Sequence, residues 1–463
     1  LPFVEDRAPL PDAAVDALFG PELAQVAAEK PDLVGFSILA EQNLLYALAL
    51  GRAIKERFGI PIALGGAMMS HLRPQELLQG FPWLDFVFFG EAELSIVKFV
   101  EAWPDQDWED VPGLAHRDGR RVCVHERPPQ LPLDALAYPD FSDFPLQEYI
   151  VPEPVLPIIT CRGCYWGKCT FCSHTLPYGG GVRMRRADRV IEEMAHQMKR
   201  YGVRNFLFVD EAISPAMLRR LSQGILERGL DVLFGAEGVR VERAFDRELL
   251  ELAHRAGLRW IYVGIESSVQ RLLDLIEKGI QIETILRLIE DCAEVGITPQ
   301  LSFIVGLPGT TQEELAQEIA FMQRFPVDSS SYVLLAGSPM FDRRRELGLR
   351  VEDQQVLYRT PRGPVHAPRY FFTVEQGLSP VQADALVEAA GPRPRMRPHL
   401  GEVHAVLLAD TDFFTSMERP PDPPLGPAAA LEQLAAWPED ARDGRWFLHM
   451  VGCLEEEGRF QEA

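Results

Sequence analysis

The chain has 463 residues, 47% of them apolar and 25% charged, with a net charge of −22. It is too long for one ordinary domain, and its composition is that of a soluble protein with a real core, so two or three domains are predicted. The acidic balance disfavours nucleic acid and anionic membrane as partners. No apolar run reaches bilayer length, and "LPFVEDRAPLPD" lacks a basic-then-apolar leader. A reducing cytoplasm is the expected location, where clustered cysteines bind metal or react instead of pairing.

Residues 1–125 are the first predicted domain. "DLVGFSIL" reads as a buried strand and "LLYALALGRAIKERFG" as the helix after it. "IPIALGGA", "PQELLQGF", "LDFVFFGEAE" and "AELSIVKFVEAW" continue as strand, helix, strand, helix. That alternation predicts an α/β, doubly wound (Rossmann-like) parallel sheet. Each strand closes on small or turn-forming residues, Ser37, Gly65–Gly66 and Gly90. Ligands of such sheets sit beyond the carboxyl ends of the strands, so the loops after Ser37, Gly65 and Phe89 are expected to line one pocket. Ahead of Asp32 only "LPFV" and the helix "PELAQVAAE" are available for a further strand and helix. Residues 126–156, rich in Pro and Asp, read as a linker laid over the surface.

Residues 157–368 repeat strand and helix. The strand candidates are "PIIT", "NFLFVD", "VLFGAEG", "WIYVGIES", "QLSFIVGLPG" and "SYVLLAG", and several helices between them end in Gly. Six such units fit a partial, open (β/α)6 barrel, whose carboxyl face is where chemistry is built. Asp210, Glu211, Glu237, Arg240, Glu266 and Ser267, then Gly306 to Gly309, cluster at the predicted strand ends. Residues 369–463 are expected to form a small, mostly helical accessory domain, with "SPVQADALVEAAG" and "AAALEQLAAW" as helices and no assignable chemistry.

Directly after the first barrel strand comes "CRGCYWGKCTFC", Cys161 to Cys172. Cys164, Cys169 and Cys172 are spaced C-x4-C-x2-C. Three thiolates on one loop can hold three irons of a [4Fe–4S] cube and leave the fourth open. Tyr165, Trp166 and Phe171 interleave them and would shield the cube from water. Two alternatives remain open: a structural zinc site of four cysteines, and a closed cluster with Cys161 as fourth ligand that only carries electrons. Cys161 is read here as a spare thiol. Cys123, Cys292 and Cys453 are scattered and are expected to be small buried hydrophobes.

A cysteine triad after the first strand of a partial barrel, with "FVDE", "GIES" and "GLPG" downstream, resembles the radical S-adenosylmethionine enzymes. Their usual triad is C-x3-C-x2-C, so this loop carries one extra residue; Phe171 matches the aromatic before the last cysteine. The resemblance implies that Cys164, Cys169 and Cys172 ligate a [4Fe–4S] cluster whose open iron chelates S-adenosylmethionine. Asp210, Glu211, Glu237, Arg240, Glu266, Ser267 and Ser302 are then the candidates for gripping that cofactor, with Gly306 and Pro308 presenting backbone. For Glu237 and Arg240 a salt bridge across barrel strands is the alternative. Pro339 and Met340 are expected to shape the pocket floor.

Residues 32–93 resemble the cobalamin-binding domain that precedes the barrel in one subclass, above all the subgroup that matures ribosomally made peptides. The resemblance implies that Ser37, Gln42 and Asn43, then Gly65, Gly66, Ala67 and Ser70, then Gly90, Glu91 and Glu93 cradle the corrin. No D-x-H-x-x-G is present, so base-off cobalamin without a His ligand is expected, with His71 read as a surface histidine. No G-x-G-x-x-G opens a helix, which argues against a dinucleotide site. The implied activity is methylation of an unactivated carbon of a peptide or small-molecule natural product. A 5′-deoxyadenosyl radical would abstract hydrogen and methylcobalamin would deliver the methyl group. An external flavodoxin- or ferredoxin-type electron donor is the implied partner. A cobalamin-dependent rearrangement or cyclisation without methyl transfer is the alternative, and a non-catalytic Fe–S carrier or sensor is the alternative of another class.

Overall fold

A computed structural model describes residue 4 and residues 12–149, 153–173 and 178–391. The chain opens with α1 (Asp12–Glu29), β1 (Val34–Ser37), α2 (Glu41–Phe58), β2 (Ile62–Gly65), α3 (Pro74–Gly80), β3 (Phe86–Phe88), α4 (Glu93–Ala102), β4 (Leu114–Asp118) and β5 (Arg121–Val124). The sheet runs β1-β2-β3-β4-β5, with β1 to β3 parallel and β4 and β5 antiparallel. Successive side chains of a strand point to opposite faces. Ile62, Leu64 and Val87 thus meet Leu44, Leu48, Leu77 and Leu78 of α2 and α3, while Ala63, Phe86 and Phe88 meet Phe99 of α4. Helices therefore cover both faces, as a doubly wound sheet requires.

Two features of this part were not predicted. The β4–β5 hairpin escaped because β5 is an edge strand whose residues are only partly covered, so it has no apolar run to read. Cys123 lies on it and is half-exposed rather than buried. Helix α1 starts at Asp12 instead of Pro21 and keeps Pro21 inside, because Val15, Phe19 and Leu23 bury one face against the proline's local cost. "LPFV" lies outside the described residues except Val4, which is buried.

The second sheet follows: β6 (Val155–Ile158), β7 (Cys161–Arg162), β8 (Arg183–Met184), α5 (Ala187–Tyr201), β9 (Asn205–Phe208), α6 (Pro215–Arg228), β10 (Leu233–Val239), α7 (Arg247–Arg255), β11 (Leu258–Glu266), α8 (Gln270–Leu275), α9 (Ile282–Val295), β12 (Thr298–Val305), α10 (Gln312–Arg324) and β13 (Val327–Ser331). Six parallel strands run β6-β9-β10-β11-β12-β13, the open barrel anticipated from sequence. Strand and helix alternate because each buried apolar strand must be covered by an amphipathic helix. Ser214, Asp246 and Thr311 cap α6, α7 and α10 through their side chains. The sixth strand corrects a prediction: it is "VDSSS", not "SYVLLAG". An edge strand pairs on one side only and faces water, so polar residues suffice.

The chain ends, as described, with β14 (Leu334–Leu335), α11 (Pro339–Asp342), β15 (Leu349–Thr360), β16 (Gly363–Val374) and α12 (Pro380–Ala389). The β15–β16 hairpin crosses the boundary expected at 368/369 and packs on α3. Tyr358 meets Phe81 with ring centroids 5.6 Å apart, the His366 amide donates to Glu76 at 2.8 Å, and Arg369 pairs with Glu41 at 2.7 Å. The linker runs along α5, with the Arg189 guanidinium 4.0 Å from the Tyr138 ring. "AAALEQLAAW" and Cys453 lie outside the described residues.

Candidate functional site

The cysteine loop is held from below. Asp210, at the end of β9, is buried, and its Oδ1 accepts from the amides of Thr160 and Cys161 at 2.7 Å each. Burial pushes this carboxyl up to about 6. Asp210 thus braces the loop through Oδ1, while its Oδ2 has no hydrogen-bond partner among the described residues. Glu211 accepts from the Gly163 amide at 3.2 Å. Gly163 has φ +88°, and a Cβ there would stand 2.2 Å from the Gly181 oxygen, so only glycine fits. At the far end the Thr170 amide donates to the Ile276 carbonyl at 3.0 Å, and the Met340 amide of α11 donates to Thr170 at 2.7 Å. Met340 thereby pins the loop from the floor.

Cys161 is buried and its thiol lies 3.6 Å from the carbonyls of Gly163 and Ala212. Burial and the neighbouring Asp210 push it far above the usual thiol range. Cys164, Cys169 and Cys172 are half-buried, and burial pushes the Cys169 thiol up to about 11. Three half-buried thiols on one loop, each able to take its own iron, are a donor set that fits a cube with one open iron.

The extra loop residue has a visible accommodation. Gly167 turns left-handed at φ +60°, and Trp166 swings out onto Arg240, whose guanidinium lies 3.9 Å from the ring. The indole donates to the Glu277 carbonyl at 2.9 Å. Gly279 leaves the slot open, since a Cβ there would stand 2.4 Å from the indole. Arg240 also pairs with Glu242 at 3.2 Å and donates to the Gly279 carbonyl at 3.2 Å. In this structure Arg240 builds a slot for the tryptophan.

Glu266 ends β11 with φ +66°, a left-handed turn that is strained for a carboxylate residue. Its Oε1 lies 2.7 Å from the buried Lys278 ammonium, and the Ser302 hydroxyl lies 3.5 Å from Oε2. Burial pulls the Lys278 ammonium down, and the Glu266 carboxylate with Cys169 outweighs it, so its affinity for a proton is raised. Sequence reading missed Lys278: a lone lysine in "LLDLIEKGI" carries no signal of its own. Glu237 lies half-buried near the carboxyl end of β10.

Ser267 donates to Glu318 of α10 at 2.5 Å, which corrects its expected contact. Glu318 is fully buried with Oε2 unpartnered. The folded state holds this proton to about 7 against an ordinary 4.5, so the unfolded chain releases it first and stability falls by roughly 3 kcal/mol as pH rises between those values. Glu318→Gln is expected to remove that fall, read as urea midpoints that no longer drop between acidic and alkaline buffer. The turn Gly306–Gly309 is also corrected. A Cβ on Gly306 would stand 2.6 Å from Pro380, and the Leu378 amide donates to Thr310 at 2.8 Å, so the approach to α12 covers Gly306 and the buried Pro308.

The three loops at the carboxyl ends of β1, β2 and β3 form the first domain's shelf. The Ile38 amide donates to Gly65 at 2.8 Å and the Met68 amide to Ile38 at 3.1 Å. Gly66, at φ +91°, has no room for a Cβ beside the Ile38 backbone, 2.5 Å away. Ser70 Oγ accepts from the Gly90 amide at 3.0 Å, so all three expected loops are tied together. Ser37, Gln42, Asn43, Gly66 and Ala67 are exposed along this edge, with Leu39 78% exposed beside them. Small residues and an uncovered leucine fit a large planar ligand. Asn43 Oδ1 is taken by the Ala40 amide at 3.3 Å, capping α2. Glu91 pairs with Arg162 of the cysteine loop and with Arg183 of β8, and Glu93 pairs with Arg162.

Residues 158–322 match the radical SAM superfamily. An uncharacterized methyltransferase of Pyrococcus horikoshii is 28% identical over 319 residues, 67% of this chain and 68% of that one. The anaerobic magnesium-protoporphyrin IX monomethyl ester cyclase of Rubrivivax gelatinosus is 29% identical over 337 residues, 70% of this chain and 60% of the cyclase. Among solved structures, the radical S-adenosylmethionine methyltransferase TsrM from Kitasatospora setae, with cobalamin and a [4Fe–4S] cluster bound, superposes with a TM-score of 0.64 at 20% identity, covering 95% of this chain and 90% of TsrM. Among the described residues no helix is long and apolar enough to cross a membrane. The chain carries a radical SAM domain at residues 158–322, set within the fold of the cobalamin-dependent radical SAM enzymes.

Proposed function

We propose that the protein is a cobalamin-dependent radical SAM methyltransferase acting on an unactivated carbon of a peptide or small natural product. The observation that carries this reading is the placement of three half-buried thiols, Cys164, Cys169 and Cys172, on a braced loop at the carboxyl face of the six-stranded sheet. When bound, the cluster with S-adenosylmethionine supplies a 5′-deoxyadenosyl radical and base-off methylcobalamin, without a His ligand, supplies the methyl group. The protein's own work is to hold and to exclude. Cys164, Cys169 and Cys172 hold the cluster, with Phe171 packed against the core behind it. Glu237, Glu266 and Ser302 present acceptors and a hydroxyl to the S-adenosylmethionine side. Ser37, Gln42, Gly65, Gly66 and Ala67 form the bed for the corrin. An external flavodoxin- or ferredoxin-type protein supplies electrons.

The test is anaerobic turnover with a strong reductant, S-adenosylmethionine and methylcobalamin. Formation of 5′-deoxyadenosine together with a product heavier by one CH2 supports the reading. The cyclase relative favours a second one, rearrangement or ring closure with the same cofactors; deoxyadenosine with no added CH2 would select it. Absence of deoxyadenosine would leave an electron carrier and sink both.

A further inference from the structure

Two glutamates at the start of α4 reach out of their own domain. Glu91 Oε2 accepts from Arg162 Nη1 at 2.5 Å, Glu93 Oε1 accepts from Arg162 Nη2, and Glu91 Oε1 accepts from Arg183 Nη2. One arginine fork thus spans two carboxylates, and one carboxylate spans two arginines. Three of the four are largely shielded, with the side chains of Arg162, Glu91 and Arg183 18%, 10% and 20% exposed, and Glu93 at the rim is 34% exposed. Charge-assisted, two-pronged pairs of this kind fix direction as well as distance.

What the four charges connect is specific. Arg162 sits between Cys161 and Gly163, on β7, and Arg183 sits opposite it on β8. Glu91 follows Gly90, whose amide is held by Ser70, so the carboxylate end is continuous with the second and third loops of the shelf. Arg183 Nη1 also donates to the Leu131 carbonyl of the linker at 2.6 Å. A short rigid path therefore runs from the shelf to the residue two positions before Cys164.

We propose that Glu91, Glu93, Arg162 and Arg183 are positioning residues that lock the corrin shelf in register with the cysteine loop, fixing the separation of the two cofactors. The inference rests on the cofactor reading above. Its weight comes from geometry, since surface ion pairs scattered at random would contribute little, whereas a shielded fork between two cofactor loops constrains their relative placement.

The test uses the full chain with cluster and cobalamin loaded, and the double variant Glu91→Gln/Glu93→Gln, which keeps shape and removes charge. Wild type is expected to show one defined spin–spin interaction between cob(II)alamin and the reduced cluster. The double variant is expected to bind hydroxocobalamin and assemble iron and sulfide as before, yet lose that defined interaction for a broad one. Arg162→Lys, which keeps the charge but cannot grip both carboxylates, is expected to fall between. A merely stabilising role would lower the unfolding midpoint and leave the interaction sharp. A sharp interaction in the folded double variant, or in Arg162→Lys should the double variant not fold, overturns the proposal. If wild type takes up no cobalamin, the cofactor reading fails. The lock is then judged on the cofactor-free chain, where one unfolding transition in wild type should split into two in the variant, and an unsplit transition overturns it.

Discussion

Anaerobic reconstitution with iron and sulfide is expected to give a broad iron–sulfur absorbance in wild type and in Cys161→Ala, and to give none in Cys164→Ala, Cys169→Ala or Cys172→Ala. The separation follows from what each thiol touches. Cys161 is buried against the carbonyls of Gly163 and Ala212, with burial opposing its ionisation; a thiolate is what iron requires. The other three are half-buried, and Cys169 among them sits beside the Lys278 ammonium, which offsets the charge of ligating sulfur. Activity should follow the absorbance and vanish with any of the three. Zinc in place of iron in the wild-type protein, or loss of absorbance in Cys161→Ala with the triad variants unaffected, would reverse the assignment.

Lys278→Met is expected to destabilise the cofactor-free protein by roughly 3–5 kcal/mol, because it strands a buried carboxylate. Lys278 and Glu266 lie 2.7 Å apart with each side chain only 10% exposed. Removing the ammonium leaves Glu266, already in a left-handed turn, with the Ser302 hydroxyl 3.5 Å from its Oε2. Lys278→Met combined with Glu266→Gln should recover much of the loss, since a neutral amide needs no counter-charge. Urea unfolding of the two variants is the measurement. Equal midpoints for wild type and Lys278→Met would show the pair to be energetically idle. In the loaded protein Lys278→Met should also lower the reduction potential of the cluster, since a nearby positive charge favours the electron-rich state.

Much of this was legible in the sequence because it rests on periodicity and on clustered thiols. Five of the six parallel strands, and the helices between them, follow from apolar runs punctuated by Gly and capped by Ser, Asp and Thr; the polar sixth does not. The cysteine loop, with Glu266 and Ser302, was placed at one end of that sheet on motif alone. What escaped was decided by partners distant in the chain. Nothing in "CRGC" or "GEAE" says that Arg162 meets Glu91, nor does "CYWGKC" or "AEGVRVE" say that Arg240 will bed a tryptophan from the cysteine loop. The Gly306–Gly309 turn reads as a ligand shelf, yet α12 closes over it, a contact no local pattern encodes. The β15–β16 hairpin was missed because its exposed polar residues break the strict alternation of a half-buried strand.

That hairpin has a bearing on how the protein is made. His366 reaches Glu76 across 290 positions of chain, and Tyr358 with Val365 completes the apolar cluster around Phe81. The first domain therefore leaves the ribosome with one flank of α3 bare, and waits for the whole barrel to be synthesised before that flank is roofed. At about 5–20 residues per second the delay amounts to tens of seconds, during which Phe81 and the backbone at Gly80 present a sticky surface to the cell's chaperones.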